Sequence, residues 1–300
     1  MKRLILTSAA LAAFAAIGSA SAADLPRKAP PKPLAWNWTG CYAGANVGEA
    51  AVKNSADLSP GGLYRSPVGA AAPPNTAGTG DFAADIAALS NSYSTTDSGW
   101  EAGVQIGCNR QWGAMVLGLE GDWQWTGAKT SVDSSFAAFP NAGNAVFTDA
   151  AHTEHVDVSQ KWFATARARA GFTPWERVLV YGTAGIAWAD FESNTAVTFA
   201  PFPVNPVFNG AAHIGSGSFT RVGGVVGGGA EWAIANNWSV KAEYLYLWFN
   251  GFNYASPLVA AAVPFAPGYA WNTTITPREQ ILRIGVNYRF DWGGPVVARH

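Results

Sequence analysis

The amino-acid sequence predicts an all-β protein: an eight-stranded antiparallel transmembrane up-and-down barrel with long extracellular loops and short periplasmic turns. Eight segments alternate between polar and apolar residues with a period of two, the pattern of a strand with two different faces. The connections between these segments are alternately short and long. Charged residues make up only 13% of the chain, whereas glycine (33 residues) and tryptophan (14 residues) are abundant.

The first 22 residues have the composition of a secretory signal peptide. Lys2 and Arg3 precede an apolar stretch, and small residues at Ala20 and Ala22 suit cleavage. We expect cleavage after Ala22 and export of the protein. An uncleaved N-terminal anchor is the alternative.

The predicted organisation after residues 1–22 is a Pro- and Lys-rich periplasmic linker at 23–37, a barrel at 38–292 and a short tail at 293–300. No later apolar run reaches the roughly 18 residues of a membrane helix, so strands have to make any crossing. The formal net charge is −1 and no basic stripe is present, which excludes nucleic acid as a partner.

Eight segments carry the alternating pattern. They are CYAGANVG, GWEAGVQIGC, AMVLGLEGDWQW, WFATARARAGF, VLVYGTAGIAW, RVGGVVGGGAEW, SVKAEYLYLW and RIGVNYRF. In the fourth, Ala164, Ala166 and Ala168 share one face, while Arg167 and Arg169 share the other.

Only NRQWG, TPWER and AIANN separate strands two and three, four and five, and six and seven. The other connections are long and are expected to be structureless loops: 50–98, 127–159, 192–218 and 251–277. This alternation is typical of outer-membrane barrels with tight periplasmic turns and long external loops. All four histidines are expected in loops or the tail rather than on strands: His152, His155, His213 and His300.

The polar faces of the predicted strands carry five acids and five bases among glycines. They are Glu101, Glu120, Asp122, Glu231, Glu243, Arg167, Arg169, Lys241, Arg283 and Arg289. This balance favours a paired network that fills a narrow lumen, because a buried charge needs a partner. The alternative is the solvated outer face of a soluble barrel, whose apolar side chains would point inward.

The other face carries aliphatic residues in mid-strand and aromatic residues toward both ends. Trp100 and Trp248 lie toward the long connections, whereas Trp38 and Trp232 lie toward the short ones. Two such girdles suit the two interfaces of a bilayer.

Cys41 and Cys108 are the two cysteines of the chain. Both fall on the outward face of neighbouring antiparallel strands at the periplasmic rim, where an oxidising environment favours a disulfide. Two free thiols are the alternative.

A catalytic centre has little support in the sequence. Surface hydrolases typically need a Ser–His or Asp–His pair, and no histidine falls on a predicted strand. The HTEH segment at 152–155 could bind a metal but has no other evident ligands. We therefore expect no catalytic residues, no metal site and no cofactor.

Six segments together resemble one known family: AADLPRK, WTGCYAGANVGE, QIGCNRQ, LGLEGDWQW, AEYLYLWFNG and RIGVNYRFDWGG. They resemble the porin-like, eight-stranded outer-membrane barrels of alphaproteobacteria, of the outer-membrane immunogenic protein type. The resemblance implies that the last strand is an assembly signal read by the barrel-assembly machinery, with Arg283, Gly285, Tyr288 and Phe290 at its signature positions. The ten residues after Phe290 depart from barrels that end on the aromatic residue.

These observations predict a structural, surface-exposed protein of the Gram-negative outer membrane, of the envelope-integrity or surface-antigen type. The expected partners are outer-membrane lipid and lipopolysaccharide, the barrel-assembly machinery and extracellular ligands that meet the loops. The resemblance to porin-like barrels implies a small diffusion porin as the alternative. A loop-borne ligand binder or enzyme is the third possibility.

Overall fold

The computed structural model describes residues 36–61, 63–64, 75–76, 89–140, 148–149, 151–200, 212–260 and 270–290. The predicted signal peptide, most of the predicted linker, the tail and His300 lie outside the described residues. In the described part of the chain, no helix combines the length and the apolar character that a membrane span requires.

The described chain is built almost entirely of strands. In chain order they are β1 (Gly40–Gly61), β2 (Leu63–Tyr64), β3 (Asn75–Thr76), β4 (Asn91–Trp112), β5 (Met115–Thr126), β6 (Lys129–Phe136), β7 (Phe139–Pro140), β8 (Thr148–Asp149), β9 (His152–Trp175), β10 (Val178–Phe199), β11 (Ala212–Ala235), β12 (Trp238–Phe249), β13 (Phe252–Ala260) and β14 (Ala270–Arg289). The pairs β2–β3 and β7–β8 form two short separate sheets.

The remaining strands form one antiparallel ring with eight positions. The order is β1, β4, β5, β9, β10, β11, β12 and β14, and β14 pairs with β1 to close the ring. Two positions consist of two consecutive strands, because β5 and β6 both pair with β9, and β12 and β13 both pair with β14. The predicted eight-stranded antiparallel barrel is therefore confirmed.

Three of the short connections are two-residue turns at one end of the barrel. They lie at 113–114, 176–177 and 236–237, within or beside the predicted short connections. Gly113 has φ of +58°, a left-handed conformation that glycine adopts without a Cβ clash. By analogy with outer-membrane barrels, these tight turns mark the periplasmic end.

The prediction of long structureless loops is wrong for much of their length. β1 continues to Gly61, β9 already begins at His152, and β10 continues to Phe199. These segments are rich in Ser, Thr, Asn and Ala, so their alternation is too weak in hydrophobic contrast to be recognised as strands. The wall of the barrel therefore extends well beyond the roughly 9–11 residues per strand that a membrane requires.

A belt of exposed aliphatic side chains surrounds the periplasmic half of the barrel. Leu119, Ile106 and Ile284 are 69%, 67% and 64% exposed, respectively. On a water-soluble protein this belt would be a large unpartnered apolar surface. Its position on the outer wall matches the lipid-facing band of a transmembrane barrel.

Exposed aromatic residues border this belt at both ends. Among the described residues expected in these borders, one is buried instead. Trp100 and Trp125 are exposed at the outer border, and Trp175 and Trp232 are exposed at the periplasmic border. Trp38, expected in the periplasmic girdle, is instead 3% exposed. It packs with Val116, Leu179, Tyr181 and Ala233 inside the periplasmic end, because the chain before β1 carries it into the lumen.

Substituting Leu119 by arginine tests the position of the belt. A charge near the bilayer midplane on the lipid face costs about 2–4 kcal/mol, so we expect Leu119→Arg to lower the free energy of unfolding by that amount in urea titrations on lipid vesicles. Ile214→Arg is the matched control, because Ile214 is also about half exposed but lies in the outer part of β11. Equal losses for the two variants would contradict the assignment of the belt.

Candidate functional site

The inward-facing side chains of the barrel pack in layers that differ in chemistry. The cluster around Trp38 occupies the periplasmic end. A layer of ion pairs follows, and apolar side chains fill the interior farther out. The lumen is therefore the part of the described chain in which buried charged side chains are concentrated.

Arg167 and Arg283 lie at the centre of the ionic layer. The Arg167 guanidinium donates to Glu120, to Asp122 at 2.8 Å and to Glu243 at 3.0 Å. The Arg283 guanidinium donates to Glu243 at 2.7 Å through Nη2 and at 2.9 Å through Nε, and to Asp122 at 3.2 Å. Asp122 and Glu243 thus each bind both bases.

Arg169 and Lys241 extend the layer around Glu120. Lys241 Nζ lies 2.9 and 3.1 Å from the two carboxylate oxygens of Glu120. Arg169 pairs with Glu231 at 2.7 Å and with Glu120 at 3.4 Å. The Tyr42 hydroxyl donates to Glu120 at 2.5 Å and accepts from Arg169 at 2.7 Å.

The layer is electrically balanced. It contains four bases and four acids, each at most 8% exposed: Arg167, Arg169, Lys241, Arg283, Glu120, Asp122, Glu231 and Glu243. Burial of an ion costs several kcal/mol unless a partner and hydrogen bonds compensate. Neutral residues add such bonds, since Ser239 and Asn287 donate to Glu231 and Thr165 donates to Asp122.

Two of the ten charged residues expected in this network lie apart from it. Glu101 points into the lumen and is fully buried, but neither of its carboxylate oxygens has a hydrogen-bond partner. Arg289 is partly buried near the periplasmic end of β14, where its guanidinium lies 4.4 Å from the ring centre of Trp36. Arg289 lies six positions along the chain from Arg283, which is about 20 Å along a strand.

The apolar plug, defined as the inward cluster around Phe163, Phe191, Leu245, Leu247 and Ile281, was not predicted. On β12 the plug residues follow Glu243 on the same face, while the outward residues between them are also apolar. The run LYLWF thus does not alternate between polar and apolar residues, so the sequence pattern does not show which of its residues point inward. Tyr42 and Tyr181 were also missed, although their inward face could have been inferred from strand phase.

Polar side chains bridge the interior beyond the plug. Tyr93 Oη donates to Glu154 at 2.6 Å and Asn91 Nδ2 donates to it at 2.9 Å. Burial raises the pKa of the Tyr93 hydroxyl, and its hydrogen bond to Glu154 raises it further. Burial lowers the pKa of His213 to about 4.

The expectation that no histidine lies on a strand is wrong for three of them. His152 and His155 lie on β9 and His213 lies on β11, because these strands extend into the predicted loops. His155 Nδ1 is 2.6 Å from Asp133 and its Nε2 is 3.2 Å from Asp157. The hydrogen bond to Asp133 raises the pKa of His155, and the hydrogen bond to Asp157 adds to the rise.

The two cysteines face each other directly in the β1–β4 ladder. Their sulfur atoms are bonded at 2.05 Å. Tyr288 on β14 and Phe290 just after it are both exposed, with their ring centres 5.5 Å apart, while Gly285 faces inward. A Cβ on Gly285 would lie 3.1 Å from Gln105 Nε2, so glycine leaves space for that amide.

Within the described ranges, no group of three or more His, Cys, Asp or Glu side chains is arranged to hold a metal ion. His152 and His155 of the HTEH segment have separate surroundings. His152 is buried beside Glu154 and stacks on Phe136, whereas His155 is partly exposed between two aspartates.

A closed antiparallel ring with an aliphatic outer belt, aromatic borders and paired charges inside defines a transmembrane β-barrel of the outer-membrane class. All backbone groups of the strands bond within such a ring, which a lipid environment requires. The comparisons with known proteins agree with this class. The chain belongs to the outer membrane protein beta-barrel domain family, whose model matches residues 9–290.

The chain is similar to named outer-membrane proteins of Brucella. It is 34% identical over 257 residues to the 31 kDa outer-membrane immunogenic protein of Brucella melitensis, covering 82% of this chain and 86% of that protein. It is 25% identical over 298 residues to the 25 kDa outer-membrane immunogenic protein of Brucella canis, covering 97% and 99%. The protein is therefore an outer-membrane protein, as predicted.

The solved structures that resemble this chain are distant. Ail of Yersinia pestis shares 12% identity at a TM-score of 0.32, covering 83% of this chain and all of that one. Neisserial surface protein A shares 13% identity at a TM-score of 0.35, covering 84% and 98%.

Removing one central base tests the energetic role of the ionic layer. Arg167→Met leaves carboxylates buried without their partner, so we expect a loss of about 3–5 kcal/mol in the free energy of unfolding. The control is Lys161→Met, because Lys161 pairs with Glu192 at 3.0 Å with both side chains about half exposed, and such pairs contribute about 0–1 kcal/mol. Urea unfolding in lipid vesicles measures both, and equal effects would contradict the proposed role.

The His155 contacts predict a pH dependence in the outer wall. Because the folded pKa of His155 lies above its ordinary 6.5, its charged form stabilises the fold below pH about 6.5, and this stability is lost as the pH rises through the folded pKa. We expect amide exchange of β6 and β9 to become faster, relative to its intrinsic rate, between pH about 6 and about 8. Asp133→Asn should reduce that change. An NMR titration in which the midpoint of His155 lies at or below 6.5 would contradict the raised pKa on which this prediction rests.

Proposed function

We propose that the protein is a structural, surface-exposed, non-enzymatic component of the outer membrane with a lumen closed to solutes. The carrying observation is that charge pairs and apolar side chains fill successive sections of the barrel interior. An eight-stranded barrel leaves an interior that side chains can just fill. The alternative of a small diffusion porin requires a continuous aqueous path.

Each layer would obstruct that path by a different mechanism. In the ionic layer, a permeating ion would have to displace guanidinium and carboxylate groups bonded at 2.7–3.2 Å. In the plug, Phe163, Phe191 and Leu247 are at most 2% exposed, so an ion would have to shed its water against apolar side chains.

Planar-bilayer conductance of the refolded protein tests the closed lumen. We expect no stable single-channel steps from the wild type. The double variant Phe163→Ala/Leu247→Ala should also remain silent, because the ionic layer persists when the plug is thinned. Reproducible steps from the wild type would overturn the proposal and favour the porin. Turnover of peptide or lipid substrates would instead favour an enzyme.

An outward-facing basic pair supports lipopolysaccharide as the lipid partner. Lys53 and Arg278 are exposed and directly opposite each other in the β1–β14 ladder, and Arg278 is also opposite Trp248 of the outer aromatic border. Like charges in direct cross-strand contact are unfavourable unless an anion lies between them. Phosphate groups of lipopolysaccharide would supply that anion at this height.

Removing the basic pair tests this partner. We expect Lys53→Gln/Arg278→Gln to lose most of the rise in unfolding temperature that lipopolysaccharide gives the wild type, and to match the wild type in phosphatidylcholine vesicles. Lys129→Gln is the control, because Lys129 is exposed on β6 and bonded to Asp157 at 3.3 Å. An unchanged response of the double variant to lipopolysaccharide would contradict the proposal.

Assembly and surface contacts complete the proposed function. The pattern at the end of the chain's last strand, with Arg283 and Gly285 inward and Tyr288 and Phe290 outward, supports recognition by the barrel-assembly machinery. The wall that extends above the outer aromatic border supports contact between the attached connections and extracellular molecules.

A further inference from the structure

Two carboxylates in the lumen lie outside the balanced ionic layer. Glu101 and Glu279 are 0% and 1% exposed, and none of their four carboxylate oxygens makes a hydrogen bond of normal geometry with the described residues. Since the ionic layer is neutral, these two residues give this part of the lumen a formal charge of −2. An uncompensated buried charge of this size is strongly unfavourable.

The strand register places the two carboxylates in the same region of the lumen. Glu101 is opposite Gly48 on β1, Gly48 is opposite Arg283 on β14, and Glu279 lies four positions from Arg283 on the same inward face, toward the outer end of β14. The two carboxylates are close enough for their charges to act on each other.

The available bases do not neutralise this pair. Arg283 is the base that acts most on Glu101, but its Nε and Nη2 donate to Glu243 and Asp122. Arg221 lies farther out, only partly buried, with its guanidinium 5.4 Å from the ring centre of Phe219. The charge that acts on Glu279 is the like charge of Glu101.

Two buried glutamine side chains in this region carry amide oxygens that could also bind a cation. Gln160 is 3% exposed and lies beside the Glu279 carboxylate, yet neither its oxygen nor its nitrogen completes a well-formed hydrogen bond. Gln124 is fully buried on β5 next to the β4 strand that carries Glu101, and its Oε1 also has no partner. The two amide oxygens thus add to the carboxylates as possible ligands of a cation.

We propose that Glu101 and Glu279 together bind one divalent cation inside the lumen, with amide oxygen from Gln160 and water completing its coordination. Two carboxylates balance a charge of +2. The donor set is all oxygen and contains no His or Cys, which suits a hard cation rather than a transition metal. Calcium is favoured over magnesium, because it accepts bidentate carboxylates and amide oxygens in irregular geometry.

The cation would be part of the folded barrel. The ionic layer and the apolar plug both pack in this lumen, so a cation enters as the barrel closes and exchanges slowly afterwards. Such a site stabilises the folded state by binding it and not the unfolded chain. Retention in EDTA therefore rests on the closed lumen proposed above, whereas the effect of calcium on the unfolding temperature tests the site whether or not the barrel conducts.

Metal analysis of the refolded full chain tests the site. The wild type is refolded into detergent micelles with calcium and magnesium, passed through EDTA-containing gel filtration, and analysed by mass spectrometry for metals. We expect about one calcium per chain to be retained. Glu101→Gln/Glu279→Gln, which keeps the side-chain shape, should retain none. Glu49→Gln is the matched control, because Glu49 is exposed on the outer wall one residue along β1 from the partner of Glu101.

A second measurement keeps the test decisive if the double variant folds poorly. Wild-type protein refolded without divalent cations should unfold at a lower temperature than protein refolded with calcium. The double variant, where folded, should show no such difference. Folded wild type that retains no divalent cation would overturn the proposal, as would equal retention by the double variant.

Discussion

Backbone N–H and C=O groups in the acyl-chain region have no water to bond with, so a membrane-spanning sheet has to close on itself. Here the β1–β14 ladder provides closure, running from Tyr42 opposite Arg289 to Gly61 opposite Ala270. Once the ring is closed, period-two alternation sends every second side chain to lipid and the others to a narrow interior. Both the aliphatic belt and the crowded lumen follow from this constraint.

The narrow interior makes charge balance a structural requirement. Arg167 on β9 contacts two carboxylates of the adjacent β5 and one of β12, and the contact with β12 joins strands that are not neighbours in the ring. Such cross-lumen pairs fix the distance between opposite walls. The apolar plug then fills the interior where the inward residues change from charged to aliphatic, as they do after Glu243 on β12. The order of the layers in the lumen can thus be read along a single strand such as β12.

The sequence was sufficient to predict the ring, the turns and most of the ionic layer. Arg167 and Arg169 could be placed inside because alanines alternate with them. In a membrane-spanning strand the apolar face has to meet lipid, so the charged face has to point into the barrel. Leu245 and Leu247 could not, because their outward neighbours are apolar too. Glu279 was missed because its strand was expected to begin closer to Arg283. The unpartnered state of Glu101 depends on distances across the lumen, which no local pattern encodes.

The length of the strands also determines where the protein ends relative to its membrane. On β9, His152 lies ten positions before Trp162 at the outer border, which is about 33 Å along the strand and about 25 Å along the membrane normal at the usual tilt. Hydrogen-bonded sheet spans this height, with β6 and β10 paired to β9. A bulky macromolecule arriving from outside therefore meets the rim of a stiff cylinder before it reaches the membrane surface.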